Sequence, residues 1–364
     1  MAVPLFDTKA PLEPLRAEIA ARIAAVIEGG VFILGPEVAA FEAELADYLG
    51  ARHAVGVANG TDAITLALRA LGLGPGDDVV VPSYTFYASA EAIVNAGARP
   101  VFCDVDAETA CVTAATVHAA LTPRTKAVLA VHLFGNVAPV AEIAALGVPV
   151  IEDAAQALGS VSAQGRPGAL GTLATFSFFP SKNLACFGDG GAVTTSDAAL
   201  DERVRMLRFH GSRDKSTFEL VGHNSRLDEL QAAILRVQLP HLDRWSEGRR
   251  AAAASYERAG LGELVALPCP AAGADPAWHL YVVRDRSADA LAGALRASGV
   301  GHKAYYRVPV HRQPAMREWG AGVELPATDE LARTGLAVPM SPVLSAAQAE
   351  EVVAAVRAAR LQHQ

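Results

Sequence analysis

Four short, mainly apolar runs, each separated from the next by a stretch with helical spacing, constrain this chain more than any other feature. They are Val79-Val80-Val81-Pro82, Pro100-Val101-Phe102-Cys103-Asp104-Val105, Ala127-Val128-Leu129-Ala130-Val131-His132 and Val148-Pro149-Val150-Ile151. Residues 88–96, 114–121 and 137–146 between them read as helices. Strands apolar on both faces belong in a mostly parallel sheet with helices covering both sides. The fold class is therefore α/β. Ligands of such sheets bind outside the carboxyl ends of the strands. Gly60-Thr61, residues 83–86, His132 and Asp153 all fall at such ends.

The flanking segments complete this plan. Residues 12–28 carry Leu15, Ile19, Ile23, Val26 and Ile27 at helical spacing, and Gly29-Gly30 stops them. A second helix over 36–49 starts on Pro36 and sets Val38, Phe41, Leu45 and Tyr48 on one face. A strand at 53–57 leads through Ala58-Asn59-Gly60-Thr61-Asp62 into a helix over 62–71. Phe176-Ser177-Phe178 and Gly191-Ala192-Val193-Thr194-Thr195 read as further strands, and 198–208 and 226–245 as helices. Beyond 245 the pattern changes to helices over 249–259, 288–298 and 347–361, a Pro- and Ala-rich stretch at 264–276, and a strand at 279–283. The 364 residues thus divide into a large α/β domain, 1–245, and a small C-terminal α+β domain, 246–364.

Composition removes several function classes. A net charge of -8 argues against a nucleic-acid binder. No apolar stretch nears the ~20 residues of a membrane span. Cys103, Cys111, Cys186 and Cys269 form no C-x-x-C pair, so neither a metal site nor a disulfide framework is expected. Such cysteines fit a reducing cytoplasm. The run from Met1 to Asp7 has no basic or apolar signal region, so an export signal is not expected there.

The chemistry centres on Lys182, in Phe176-Ser177-Phe178-Phe179-Pro180-Ser181-Lys182-Asn183-Leu184, ahead of Gly188-Asp189-Gly190-Gly191. Upstream, Asp153 closes the run Val150-Ile151-Glu152. An acid at a strand end, then a lysine on a Ser-rich turn, is what a pyridoxal 5′-phosphate (PLP) enzyme needs. The acid pairs with the pyridine nitrogen; the amine holds the aldehyde as an imine and later moves a proton. Glu152 would point to the opposite face of the strand. Each motif alone has a plainer reading. Lys182 could be a surface lysine on a turn, and Asp153 could cap a helix starting at Ala154. Three more devices join them. Asn59-Gly60-Thr61-Asp62 at a strand-to-helix junction offers free N–H groups for a phosphate, and Ser177 a hydroxyl. Tyr84-Thr85-Phe86 offers an aromatic plate for a ring face. Gln156, three residues after Asp153, is the candidate partner of the phenolic O3′.

Together these residues resemble the DegT-type nucleotide-sugar aminotransferases, which have the aspartate aminotransferase-like (type I PLP) fold. The likeness runs from Gly35-Pro36-Glu37-Val38 through Ala58-Asn59-Gly60-Thr61-Asp62-Ala63, Pro82-Ser83-Tyr84-Thr85-Phe86 and Glu152-Asp153-Ala154-Ala155-Gln156. It continues through 176–183, Gly188-Asp189-Gly190-Gly191, Asn224-Ser225-Arg226-Leu227-Asp228 and Trp278-His279-Leu280-Tyr281. The resemblance implies that Lys182 is the Schiff-base lysine and proton shuttle, and that Asp153 pairs with the pyridine nitrogen. It implies that Gln156 touches O3′, that Phe86 stacks on the ring, and that Gly60, Thr61 and Ser177 hold the phosphate. It further implies that Asn224 reaches the phosphate in a neighbouring subunit, which makes a homodimer with shared active sites, and that Arg226 stays near that interface.

Dehydratases of this fold carry a histidine where Lys182 stands, so transamination is implied, with L-glutamate as donor. The segment 224–233 and Leu207-Arg208-Phe209-His210-Gly211 look most like members acting at C3 of dTDP-linked 3-keto-6-deoxyhexoses. A UDP-linked keto sugar, a cyclitol ketone, or a non-catalytic PLP-binding regulator remain alternatives. Many relatives have a histidine where this chain has Leu158. In Tyr305-Tyr306-Arg307-Val308-Pro309-Val310-His311-Arg312-Gln313, the residues Tyr306, His311 and Gln313 are candidates for sugar or pyrophosphate contacts. Lys303, Arg307 and Arg312 could draw in the pyrophosphate; an exposed polar loop is the plainer reading.

Overall fold

The computed structural model describes residues 3–361. Met1 and Ala2, where the reading for an export signal and the first domain begin, lie outside the described residues. So do residues 362–364, at the end of the second domain.

The apolar runs form the centre of a seven-stranded sheet. Its strands are β1 (His53–Val57), β2 (Asp78–Pro82), β3 (Arg99–Cys103), β4 (Thr125–Val131), β5 (Val150–Asp153), β7 (Leu173–Ser177) and β8 (Gly191–Thr195); the short β6 (Val161–Ser162) lies elsewhere. The order is β1-β8-β7-β5-β4-β2-β3. Pairs from β7 through β5, β4 and β2 to β3 are parallel, and β8 runs antiparallel to β7 and β1. This is the mostly parallel sheet that the apolar runs predict.

Alternation along β2 divides the core. Val79 and Val81 face one cluster, with Leu129, Ile151 and the residues of helices α3 (Gly60–Ala70) and α4 (Ala88–Asn95). Val80 faces the other, with Val128, Ala130, Val150 and Ile143. Each such valine, leucine or isoleucine side chain, fully buried, contributes roughly 1.5–3 kcal/mol. Before the sheet, α1 (Arg16–Gly29) and α2 (Pro36–Leu49) pack on α8 (Glu229–Gln238).

The stretch read as one helix, 226–245, is broken. After α8 comes a 3-10 turn, Leu239–His241, and then α9 (Leu242–Arg258). Pro240 explains the break: it has no N–H for the helical ladder, and its ring crowds the preceding turn. Residue 245 lies in α9, which runs on into the C-terminal part. There the strand Tyr281–Arg284 pairs antiparallel with the strand Gly335–Val338, and helices Ala288–Ala297 and Ala346–Leu361 cover them. The first described residues join that part: Val3 bridges Val300, and the Met340 N–H donates to the Leu5 carbonyl at 3.1 Å.

Candidate active site

The carboxyl ends of β4, β5 and β7 and the first turn of α3 surround a cavity of about 450 Å³. His279, Leu280, Lys303, Tyr305 and Tyr306 close it from the C-terminal part.

The α3 end is an anion cradle. Asn59 caps the helix, its side-chain oxygen accepting from the Asp62 N–H at 2.8 Å. The amides of Gly60 and Thr61 begin the helix, where the dipole favours negative charge. A Cβ on Gly60 would lie 2.7 Å from Ser177 Cβ, so only glycine lets the turn and β7 meet this closely. The Thr61 and Ser177 side chains line the same wall.

Facing it, Asp153 is buried as the last residue of β5. Its Oδ2 accepts from the Ser89 hydroxyl at 2.8 Å, and Ser89 lies 3.0 Å from the Thr85 hydroxyl. Its Oδ1 accepts from the Ala155 N–H at 3.2 Å. The plainer reading of Asp153 as a cap is thus partly met: it caps a turn over 155–159, not a helix. Lys182 projects into this cavity. Burial pulls its amine down to about 8, against the opposing attraction of Asp153.

The side-chain amide of Gln156 is fixed at both ends. Its oxygen accepts from the Phe134 N–H at 2.7 Å, and its nitrogen donates to the Tyr306 hydroxyl at 3.0 Å. Tyr306 stacks near Phe134, with centroids 6.3 Å apart, and lies 6.1 Å from the exposed Phe86 ring. Of the two aromatics expected at this strand end, Phe86 reaches the cavity. Tyr84 is buried beneath it, donating to the Tyr305 carbonyl.

The other expected residues stand apart. Asn224 is exposed, bridged to Phe209, and is not on the wall of its own subunit's cavity. His311 is buried against Ser83, its Nδ1 2.6 Å from the hydroxyl, and Gln313 donates to the Val308 carbonyl at 3.1 Å. Neither lines the cavity. His132, at the end of β4, turns to the back of the sheet and bonds Glu152. Sequence reasoning missed Ser89, which orients Asp153, and gave His279 no role. No spacing rule marks Ser89; the Trp278-His279 motif was the available signal for His279.

An amine with a depressed pKa, a fixed carboxylate opposite, and a helix N-terminus that only glycine fits make a donor set suited to PLP. The profile of the "DegT/DnrJ/EryC1/StrS aminotransferase family" matches residues 14–357. A dTDP-3-amino-3,4,6-trideoxy-alpha-D-glucose transaminase of Streptomyces venezuelae is 48% identical over 98% of this chain and 95% of its own. The solved structure of S. venezuelae DesV in complex with a ketimine intermediate matches with a TM-score of 0.95 at 47% identity, covering 98% of each chain. Bacillus subtilis NtdA, solved with bound cofactor PMP, matches with a TM-score of 0.85 at 27% identity, over 95% of this chain and 82% of that one.

Proposed function

We propose that this chain, which belongs to the DegT/DnrJ/EryC1/StrS aminotransferase family, moves an amino group from L-glutamate to C3 of a dTDP-linked 3-keto-6-deoxyhexose, in amino-sugar biosynthesis. It is a transaminase, and its cofactor is pyridoxal 5′-phosphate. The observation that carries the sugar assignment is the 48% identity, nearly end to end, to a transaminase of a dTDP-3-amino sugar.

When bound, the cofactor supplies an aldehyde for amines and a ring that accepts electrons from the carbon losing its proton. The chain's own residues do the rest. Lys182 takes and returns that proton, and an amine near pKa 8 exchanges protons readily around neutral pH. Asp153 holds a positive ring nitrogen, and Ser89 and the Ala155 amide keep its carboxylate aimed. The Gly60 and Thr61 amides and the Thr61 and Ser177 hydroxyls hold the phosphate. Gln156 faces O3′, Phe86 covers the ring, and Tyr306 is the sugar-side contact.

The active unit is a homodimer in the cytoplasm. Two features support the pairing: Asn224 is exposed outside its own cavity, and Phe32, Ile33, Phe187, Phe218 and Val221 are exposed apolar side chains. Among the described residues no helix is long and apolar enough to cross a membrane. Asn224→Ala loosens PLP without unfolding the subunit; unchanged PLP affinity removes the cross-subunit role.

The experiment is an absorbance spectrum before and after L-glutamate, then with a panel of ketones. The visible band should disappear with glutamate and return only with the dTDP-linked sugar. Return with a UDP-linked sugar or an inosose instead overturns the substrate. No response to glutamate overturns the donor and revives the regulator.

A further inference from the structure

His279 is 3% exposed. Of the buried polar side chains on the wall of the large cavity, it is the one with no hydrogen-bond partner among the described residues. Thr85, Ser89, Asp153 and Gln156 on that wall are all bonded. Its Nδ1 is sealed in protein, and Nε2 is the ring nitrogen left accessible. A proton on Nδ1 would be a buried N–H with no acceptor, a rarer arrangement than an idle lone pair. The proton therefore sits on Nε2, and His279 presents an N–H to the cavity. Burial, with the charges of Lys182 and Arg249, holds its pKa well below the usual histidine range, so the ring is neutral.

The backbone on both sides of this residue is fixed. Before it, the Trp278 carbonyl accepts from Arg249 Nη1 at 3.2 Å. After it, the Leu280 N–H donates to the Phe134 carbonyl at 3.4 Å. Two residues back, the Ala277 N–H donates to Ser160 Oγ at 3.0 Å, and the Ser160 hydroxyl donates to the Gly135 carbonyl at 2.6 Å. Gly135 packs so closely that a Cβ there would lie 2.8 Å from the Trp278 N and 3.0 Å from the His279 N. Trp278 itself has φ 41, a left-handed conformation rare for a bulky residue. The imidazole stacks on Phe6, with centroids 5.9 Å apart and planes 23° from parallel. The same Phe134-Gly135 turn holds Gln156, whose side-chain oxygen accepts from the Phe134 N–H. A ring held from so many sides and bonded to nothing is a donor kept ready for a ligand.

We propose that the His279 Nε2–H donates to the carbonyl oxygen of the ketone at the reacting carbon, beside Lys182. This rests on the reading of the protein as an aminotransferase. The other polar needs of the site have owners: the α3 amides for a phosphate, Asp153 for a ring nitrogen, Gln156 for O3′. None of these is left for the oxygen that the amino group replaces. As the amine nitrogen bonds to the carbonyl carbon, the π electrons of C=O move onto oxygen. That oxygen then leaves as water with the two protons the amine gives up, and nitrogen takes its place on the carbon. His279 loses no proton in the balance; it steadies the charge on oxygen. Release of 2-oxoglutarate from glutamate is the same step run backwards on a second ketone, so His279 serves both halves of the reaction.

The test uses the PLP-loaded enzyme and its His279→Phe and His279→Gln variants. Phenylalanine keeps a flat ring against Phe6 and loses the donor; glutamine carries an N–H near the place of Nε2. Histidine ¹⁵N spectra, assigned with the variants, should show the His279 proton on Nε2; a proton on Nδ1 overturns the donor. Washout of the Cα deuterium of labelled L-glutamate reads the proton step, and 2-oxoglutarate release reads the step at the ketone oxygen. In His279→Phe the washout should keep its wild-type rate. Release of 2-oxoglutarate, and return of the visible band with the keto sugar, should fall roughly 100-fold, as for loss of one donor to a developing oxyanion. His279→Gln should recover most of that loss. Should His279→Phe not fold, His279→Asn, whose amide lies near the place of Nδ1, should give the same split. Equal losses of washout and release, or wild-type release in His279→Phe, overturn the ketone assignment. If wild type washes out no deuterium from glutamate, the amino-donor reading fails instead. The enzyme loaded with pyridoxamine phosphate and given 2-oxoglutarate or the keto sugar then decides the role of His279 by the same loss in His279→Phe.

Discussion

Glu152 and Asp153 are neighbours on β5, both buried, and the pleat sends them to opposite faces of the sheet. On the back face every acceptor site of Glu152 is in use. It accepts from the N–H groups of Gly168, Leu170 and Gly171 at 3.0, 2.9 and 2.8 Å and from His132 Nε2 at 2.9 Å. His132 Nδ1 in turn accepts from the Ala138 N–H at 3.0 Å, so the ring proton sits on Nε2. On the front face Asp153 has two partners, Ser89 and the Ala155 amide, and leaves the rest of its carboxylate to the cavity. The same chemical group thus serves two ends. A saturated carboxylate locks the loop after β5 onto the sheet, and an unsaturated one keeps bonding capacity for a ligand.

Breaking the front face at its centre gives the largest effect. If Lys182 is the amine that holds the cofactor and moves the proton, Lys182→Ala should lower kcat roughly 10⁴-fold or more and abolish the visible band of the bound cofactor. A retained band means a different lysine holds the cofactor. The contrast between the two acids comes next. Glu152→Gln should cost about 3 kcal/mol of unfolding free energy, because it leaves amides and His132 facing an NH₂ group, with kcat of the folded enzyme unchanged. Asp153→Asn should do the reverse: kcat down roughly 10²–10³-fold, with stability within about 1 kcal/mol of wild type. Denaturant titrations beside steady-state rates measure both. If Asp153→Asn unfolds the protein and Glu152→Gln silences it, the division of labour is the wrong way round.

The third prediction concerns the cofactor-free protein. The folded pKa of Lys182 is depressed, from 10.5 to about 8. The unfolded chain therefore binds more protons between these values, and folding is penalised below about 8. The penalty shrinks as pH rises towards the unfolded pKa. By linkage it is about 3 kcal/mol at most. Lys182→Met removes it. The apo variant should be more stable than apo wild type at pH 7, and the gap should close by pH about 10.5. A gap that does not change with pH would show that the amine is not desolvated.

The sheet was legible because β2, β4 and β5 are buried on both faces and so carry unbroken apolar runs. The cavity-lining residues were legible because each stands at a strand end or a turn where its chemistry has few other uses. What stayed hidden depends on distant partners. Ser89 is an ordinary helix serine until α4 is laid beside β5. Arg249 is one arginine among several on α9 until Trp278 turns its carbonyl toward it. The C-terminal loop misled for the opposite reason. Tyr306, His311 and Gln313 are close in sequence, but a 3-10 turn at Val310–Arg312 carries His311 down to Ser83 while Tyr306 stays at the cavity.

Ser89 supplies the smallest and most discriminating test of the front face. Its hydroxyl makes the shorter of the two bonds that aim Asp153, and Thr85 steadies it from behind. Ser89→Ala leaves the charge of Asp153 in place and removes one hydrogen bond to it, worth about 1.5–3 kcal/mol for a charged acceptor. Were that bond purely structural, the loss would appear in the unfolding free energy and kcat would hold. If it aims the carboxylate at the ring nitrogen, stability should fall little, because the cavity offers the freed oxygen water. The loss should then appear as weaker PLP retention and a kcat reduced roughly 10-fold. Ser89→Thr, which keeps the hydroxyl, should restore both. Cofactor dissociation rates for the two variants decide it, and identical rates for Ser89→Ala and wild type would return Ser89 to the core.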